Sequence, residues 1–135
     1  MQNFQALRQV LRVGSSLKDL KSMPVEVQKE FGHSLRDIQK GRDPGNIKPL
    51  KHLGAGISEI IVNERNGTFR VMYTVEFKDV IAVLHAFQKK SKSGIATPKK
   101  EMDLILQRVK QARIEYQEFC HEKKFSLVAI TFFLI

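Results

Sequence analysis

Arg70 stands alone among uncharged neighbours in Phe69-Arg70-Val71-Met72-Tyr73, and the run Gln88-Lys89-Lys90-Ser91-Lys92 closes the apolar segment that follows. A guanidinium and an ammonium fixed on one face of a small sheet suit a phosphate in mid-reaction, because preset donors stabilise charge that develops on phosphoryl oxygens. Glu59 falls on the strand parity assigned to Arg70 and is the carboxylate placed to take a proton. Each of these residues also has a plainer reading. A charge on a central strand must be exposed or paired, so the pattern equally admits an Arg70 ion pair to Glu59 or Glu64. A run of lysines equally admits a strand end that keeps the surface soluble.

These residues need a sheet to hold them. Ile57 to Arg65 and Thr68 to Phe77 read as two strands joined at Asn66-Gly67, a strong hairpin signal. Val80 to Lys89 reads as a third strand, and Val10 to Val13 as a short first one. Side chains alternate across a strand, which groups Phe69, Val71, Tyr73 and Val75 with Ile81, Val83, His85 and Phe87 on a core face. The same rule places Glu59, Ile61, Arg70, Met72, Leu84, Ala86, Gln88 and Lys90 on the opposite, mixed face. On this parity His85 reads as a hydrogen-bonded core histidine, and Lys90, not Lys89, is the lysine beside Arg70. Lys48 and Lys51 precede the sheet and widen the basic patch.

Helices complete the architecture. Ser15-Ser16 offers a cap for a short helix that stops before Pro24. Pro24 opens a second helix whose Val27, Phe31, Leu35 and Ile38 form one apolar stripe, ended by Gly41 to Gly45. Thr97-Pro98 starts a third helix with a stripe of Met102, Ile105, Val109, Ala112 and Tyr116. The fold class is α+β: an N-terminal helical hairpin packed on a small antiparallel sheet, with a C-terminal helix. The expected organisation is a single domain over residues 1–118, followed by an apolar tail, 119–135. Phe125 to Ile135 are rich in β-formers and read as an edge strand, a swapped arm or a partner-covered segment, with self-association through the tail as one outcome.

The chain has 135 residues and a formal charge of +9. Ten lysines and arginines against four acids fall within residues 46–100, so the excess sits in the sheet-forming half. Such a surface attracts polyanions, with affinity that weakens as salt rises. One cysteine excludes an internal disulfide and points to a reducing, cytoplasmic setting. The four histidines lack ligand spacing, so no metal and no cofactor are expected. No run reaches transmembrane length, and the first residues do not form a secretory signal. Neither a glycine-rich phosphate loop nor a nucleophile–base triad spacing is present.

With these features together, the chain resembles the RelE/HigB-like toxins of type II toxin–antitoxin systems, in particular their phage-associated branch. The resemblance rests on Val13-Gly14-Ser15-Ser16-Leu17-Lys18-Asp19-Leu20, Lys48-Pro49-Leu50-Lys51, Phe69-Arg70-Val71-Met72-Tyr73 and His85-Ala86-Phe87-Gln88-Lys89-Lys90-Ser91, in that order and spacing. It implies a microbial-ribonuclease-type fold with helices on one face of the sheet. It also implies a metal-independent mRNA endoribonuclease that acts at the ribosome and inhibits translation, with mRNA, the ribosome and a cognate helix-turn-helix antitoxin as partners. The residues it points to are Arg70 and Lys90 on the scissile phosphate, and Lys48, Lys51, Lys89 and Lys92 on the RNA backbone. The lysines that RelE carries before the turn align with Ile61 and Asn63 here. The resemblance therefore leaves the proton acceptor unassigned; Glu59 is the candidate, with Lys51 or Lys89 as substitutes. Arg70→Ala or Lys90→Ala is expected to relieve growth arrest without unfolding the protein. The alternative is a non-catalytic RNA- or ribosome-binding module, a degenerate toxin that needs no base.

Overall fold

The computed structural model describes residues 7–65, 67–89 and 98–133, those beyond 122 as backbone only. The strands are β1 (Gln9–Arg12), β2 (Ile47–Pro49), β3 (Ile57–Glu64), β4 (Gly67–Thr74) and β5 (Val80–Lys89). They form one sheet in the order β1-β5-β4-β3-β2. Every neighbouring pair is antiparallel except β1 with β5, which run parallel. The α+β architecture is as the pattern predicts, with β5 rather than the hairpin strands receiving the N-terminal strand.

Two helices, α1 (Ser16–Lys21) and α2 (Val25–Gln39), cover one face. Val27, Phe31 and Ile38 are buried there against Ile60, Val62, Phe69, Val71, Tyr73, Ile81, Val83 and Ala86. Burying each such side chain contributes about 1.5–3 kcal/mol, which holds α2 in place despite its polar outer face. Pro24 takes the cap position one residue ahead of the helix, where its missing N–H costs nothing.

The third helix, α3 (Lys99–Phe133), lies across the other face, so helices cover both sides of the sheet rather than one. Ile105, Val109 and Ala112 pack there on Met72, Ala82, Leu84, Ile57 and Leu50. Thirty-five residues of helix span about 52 Å at the standard rise, well beyond this contact. The backbone of Phe125 to Phe133 is helical, which corrects the edge-strand reading of the tail. Extending an existing helix adds a backbone hydrogen bond per residue without a new nucleus, whereas β-propensity is weak without a strand to pair with.

Two local departures matter. Glu64 pairs with Gly67, so Gly67 belongs to the ladder and not to the turn that the Asn66-Gly67 signal suggests; Asn66 lies outside the described residues. Strand β4 also ends at Thr74, where the Thr74 hydroxyl accepts a hydrogen bond from the Glu76 amide and donates one to the Ala55 carbonyl. A side chain competing for backbone groups stops the ladder, and it leaves Val75 exposed instead of in the core.

The larger departure is a bulge in β5. Met72 pairs with His85 while Tyr73 pairs with Val83, so Leu84 is an extra residue. One inserted residue reverses the facing of every side chain beyond it. His85 and Phe87 therefore leave the α2 face, and Ala86 joins it. The pairing of Thr68 with Lys89 puts Lys89 on the face of Arg70. The strict alternation that kept Lys89 off that face is corrected by this bulge; Lys90 lies outside the described residues.

Candidate functional site

The face carrying Arg70 is read most simply as three cross-strand rows. Lys48, Glu59, Met72 and His85 form one, Ile61, Arg70 and Phe87 the next, and Asn63, Thr68 and Lys89 the last. Helix α3 packs over the Met72 and Leu84 end. Arg70 and Lys89 lie toward the hairpin end, past the apolar contact of α3. As diagonal neighbours on adjacent antiparallel strands, their Cβ atoms are set about 7–8 Å apart, close enough for two long side chains to reach one anion.

Glu59 is wholly buried, and both of its oxygens accept from Arg70 Nη1, at 2.8 and 2.9 Å. The ion-pair reading of these two residues is thus the geometry observed. A carboxylate without solvent access and held in this way is poorly placed to remove a proton from a substrate. What it does is aim the guanidinium. Arg70 keeps 15% of its side chain exposed, and its Nε is buried with no hydrogen-bond partner among the described residues. Among the described residues its hydrogen bonds run through Nη1, and the exposed part of the side chain is where a ligand would meet it.

Lys89 is 9% exposed. Burial holds its ammonium below the usual lysine range, and the nearby Arg70 charge lowers it further; Glu59 partly offsets this and Lys48 adds to it. Lys48 is exposed on β2 directly across from Glu59. Lys51 is exposed in the short 3-10 turn of Lys51–Leu53 that follows. Lys92, like Lys90, lies outside the described residues. Among the described residues, Arg70, Lys89 and Lys48 stand around the buried Glu59 carboxylate on this face. A bound anion relieves the Arg70–Lys89 repulsion. Among the described residues no group of His, Cys, Asp and Glu is arranged to hold a metal ion.

A second polar cluster borders the site, and the sequence pattern did not disclose it. Arg108 on α3 donates through Nη1 to the Leu84 carbonyl at 2.9 Å and to His85 Nδ1 at 3.2 Å, and through Nη2 to the Ser15 hydroxyl at 2.9 Å. With Nδ1 accepting, the His85 ring proton sits on Nε2, which donates to Glu101 in the first turn of α3. The Ser15 hydroxyl in turn donates a hydrogen bond to Asp19 Oδ2 at 2.9 Å. Arg108 lies in a slot opened by Gly14, where an added Cβ would be 2.9 Å from Arg108 Nε. The arginine thereby clamps the bulged residue, and the bulge decides which lysine faces Arg70. The Val-Gly-Ser-Ser motif was the available signal, but its partner is 93 residues away.

Comparison with known proteins follows from this geometry. No curated protein matches the sequence significantly. Among solved structures, the RelBE2 toxin–antitoxin complex from Mycobacterium tuberculosis is 17% identical, with 67% of this chain and 100% of that chain covered and a TM-score of 0.45. A mutant of the E. coli toxin RelE in the free state is 16% identical, with 78% and 98% covered and a TM-score of 0.49. The described helices include none long and apolar enough to cross a membrane. A family profile matches residues 18–110, which hold the sheet hairpin, Glu59, Arg70, Lys89 and Arg108. The phage-associated character expected from the sequence motifs is thus found, and the chain belongs to the Phage derived protein Gp49-like family (DUF891).

Proposed function

We propose that this protein is the toxin of a type II toxin–antitoxin pair and a metal-independent endoribonuclease that cleaves mRNA at the ribosome. The observation that carries the reading is the placement of Arg70 and Lys89 on one sheet face, with Arg70 aimed by a buried Glu59. The motif order noted above and membership of a phage-derived family support it. In this reading the RNA 2′-oxygen attacks the adjacent phosphorus and gives up its proton, and the bond to the 5′-oxygen breaks as that oxygen takes a proton from water, giving a 2′,3′-cyclic phosphate and a free 5′-hydroxyl. Arg70 stabilises the charge on the phosphoryl oxygens. Lys89, its pKa lowered by burial and by Arg70, takes the proton in place of Glu59. Lys48, Lys51 and Lys92 hold the RNA backbone, Lys90 remains a candidate for the phosphate, and a cognate antitoxin silences the site in a cytoplasmic complex.

The second reading, an RNA- or ribosome-binding module without catalysis, is favoured by the full burial of Glu59. Primer extension on translating ribosomes separates the two. New 5′ ends within codons support cleavage, whereas stalled intact message supports binding alone. Lys89→Ala should lose the new ends and Lys90→Ala should keep them. The reverse pattern would transfer the role to Lys90.

A further inference from the structure

We infer that the cleft along the outer edge of β5 seats the nucleobase of the RNA nucleotide that supplies the attacking 2′-hydroxyl. The inference rests on the proposed RNA cleavage, in which Arg70 binds the phosphate and Lys89 stands beside it. Strand β1 pairs with β5 only from Val80 to Val83, and among the described residues no strand continues along the edge beyond. A cleft of about 290 Å³ opens there, beside the corner where α1 turns into α2. Its floor is buried and apolar, with Met23 and Phe69, and its rim carries Asp19, Ser22 and Gln88. At the mouth, Phe87 stacks on His85 with ring centroids 5.1 Å apart and planes 16° from parallel.

Size and chemistry both narrow the ligand. At about 290 Å³ the cleft lies at the small end of ligand pockets and has room for one planar heterocycle. Stacked aromatic rings give a base a face to lie on whatever its identity, and polar groups at the rim can meet its edge. Position supplies the link to the phosphate. Phe87 is the cross-strand partner of Arg70, and adjacent strands lie about 4.7–4.9 Å apart. One nucleotide can therefore rest its phosphate on the sheet face and fold its base over the edge of β5.

The test is an NMR titration of the full chain with inorganic phosphate and with the four nucleoside 3′-monophosphates, which carry base and phosphate on one sugar. Inorganic phosphate should shift resonances around Arg70 and Lys89 only. The nucleotides should also shift Ser22, Ala86, Phe87 and Gln88 and bind roughly 5- to 150-fold more tightly than phosphate, the gain expected from stacking one base, purines ahead of pyrimidines. Ser22→Trp, which fills the cleft from an exposed position, should erase that gain while phosphate binding persists. If phosphate binds but the nucleotides bind no better and leave the cleft resonances unmoved, the base site is refuted while the phosphate site stands. If Ser22→Trp leaves the gain intact, the base lies elsewhere. If phosphate leaves Arg70 and Lys89 unmoved, the underlying phosphate reading fails, and this proposal fails with it.

Discussion

Arg70→Ala is the substitution that an open sheet face invites, and the structure makes it a poor test of chemistry by itself. Glu59 has no solvent exposure and spends both oxygens on Arg70 Nη1. Removing the guanidinium leaves a buried charge without its hydrogen-bonded partner, which costs about 3–5 kcal/mol, a large share of the 5–15 kcal/mol that typically holds a domain folded. For a chain of this length that corresponds to a fall in melting temperature of roughly 10–20 °C. The expectation that Arg70→Ala leaves the fold intact is therefore reversed. The measurement is urea unfolding of the wild type, Arg70→Ala, Glu59→Leu and the double variant Glu59→Leu/Arg70→Met. The double variant should recover most of the stability lost by Arg70→Ala, since replacing both partners with apolar groups removes the unpaired charge. It should remain folded yet lose about 100- to 1,000-fold in RNA cleavage, the usual effect of deleting one oxyanion donor. An Arg70→Ala protein that unfolds within about 0.5 kcal/mol of wild type, the noise level for surface substitutions, would refute the argument.

Gly14→Ala drives a Cβ to within 2.9 Å of Arg108 Nε at a φ of +57° and should cost about 1–3 kcal/mol. Chemical denaturation of Gly14→Ala, Arg108→Ala and the pair should show non-additive losses, and additive ones would mean that the slot and the arginine are independent. Lys89→Gln should raise stability while lowering RNA binding. Folding holds the lysine below its ordinary range, so the unfolded chain binds the proton more tightly. The cost of the charged form is present at neutral pH and fades as pH rises through the folded-state pKa toward the unfolded value. The stability advantage of Lys89→Gln should accordingly shrink in alkaline buffer, and a gap constant from pH 7 to 10.5 would contradict the shift. Truncation after residue 122 removes helix beyond the Ile105 to Ala112 packing. It should leave the unfolding midpoint nearly unchanged, and a lower solution mass than the full chain would assign self-association to the tail.

The elements were legible because they depend on neighbours in sequence. Alternation marked β3, β4 and β5, the Val27–Phe31–Ile38 spacing marked α2, and the Ile105–Val109–Ala112 spacing marked the packed part of α3. The pairing of Arg70 with Glu59 was also within reach, since both fall on one parity of a hairpin whose register a short loop sets. The facing of residues beyond Leu84 was not legible. Strict alternation assumes an unbroken ladder, and nothing between Val80 and Lys89 marks an inserted residue.

What the amino-acid order determined alone was local: which segments become strands or helices, where the positive charge collects, and that Arg70 must be either exposed or paired. Tertiary structure decided the rest, namely that Glu59 is a buried anchor, that α3 runs on as helix, and that Lys89 shares a face with Arg70. The physical reason is distance along the chain. A guanidinium from α3, admitted by a glycine ahead of α1, holds the Leu84 carbonyl, and no pattern within one strand records a contact made from so far away.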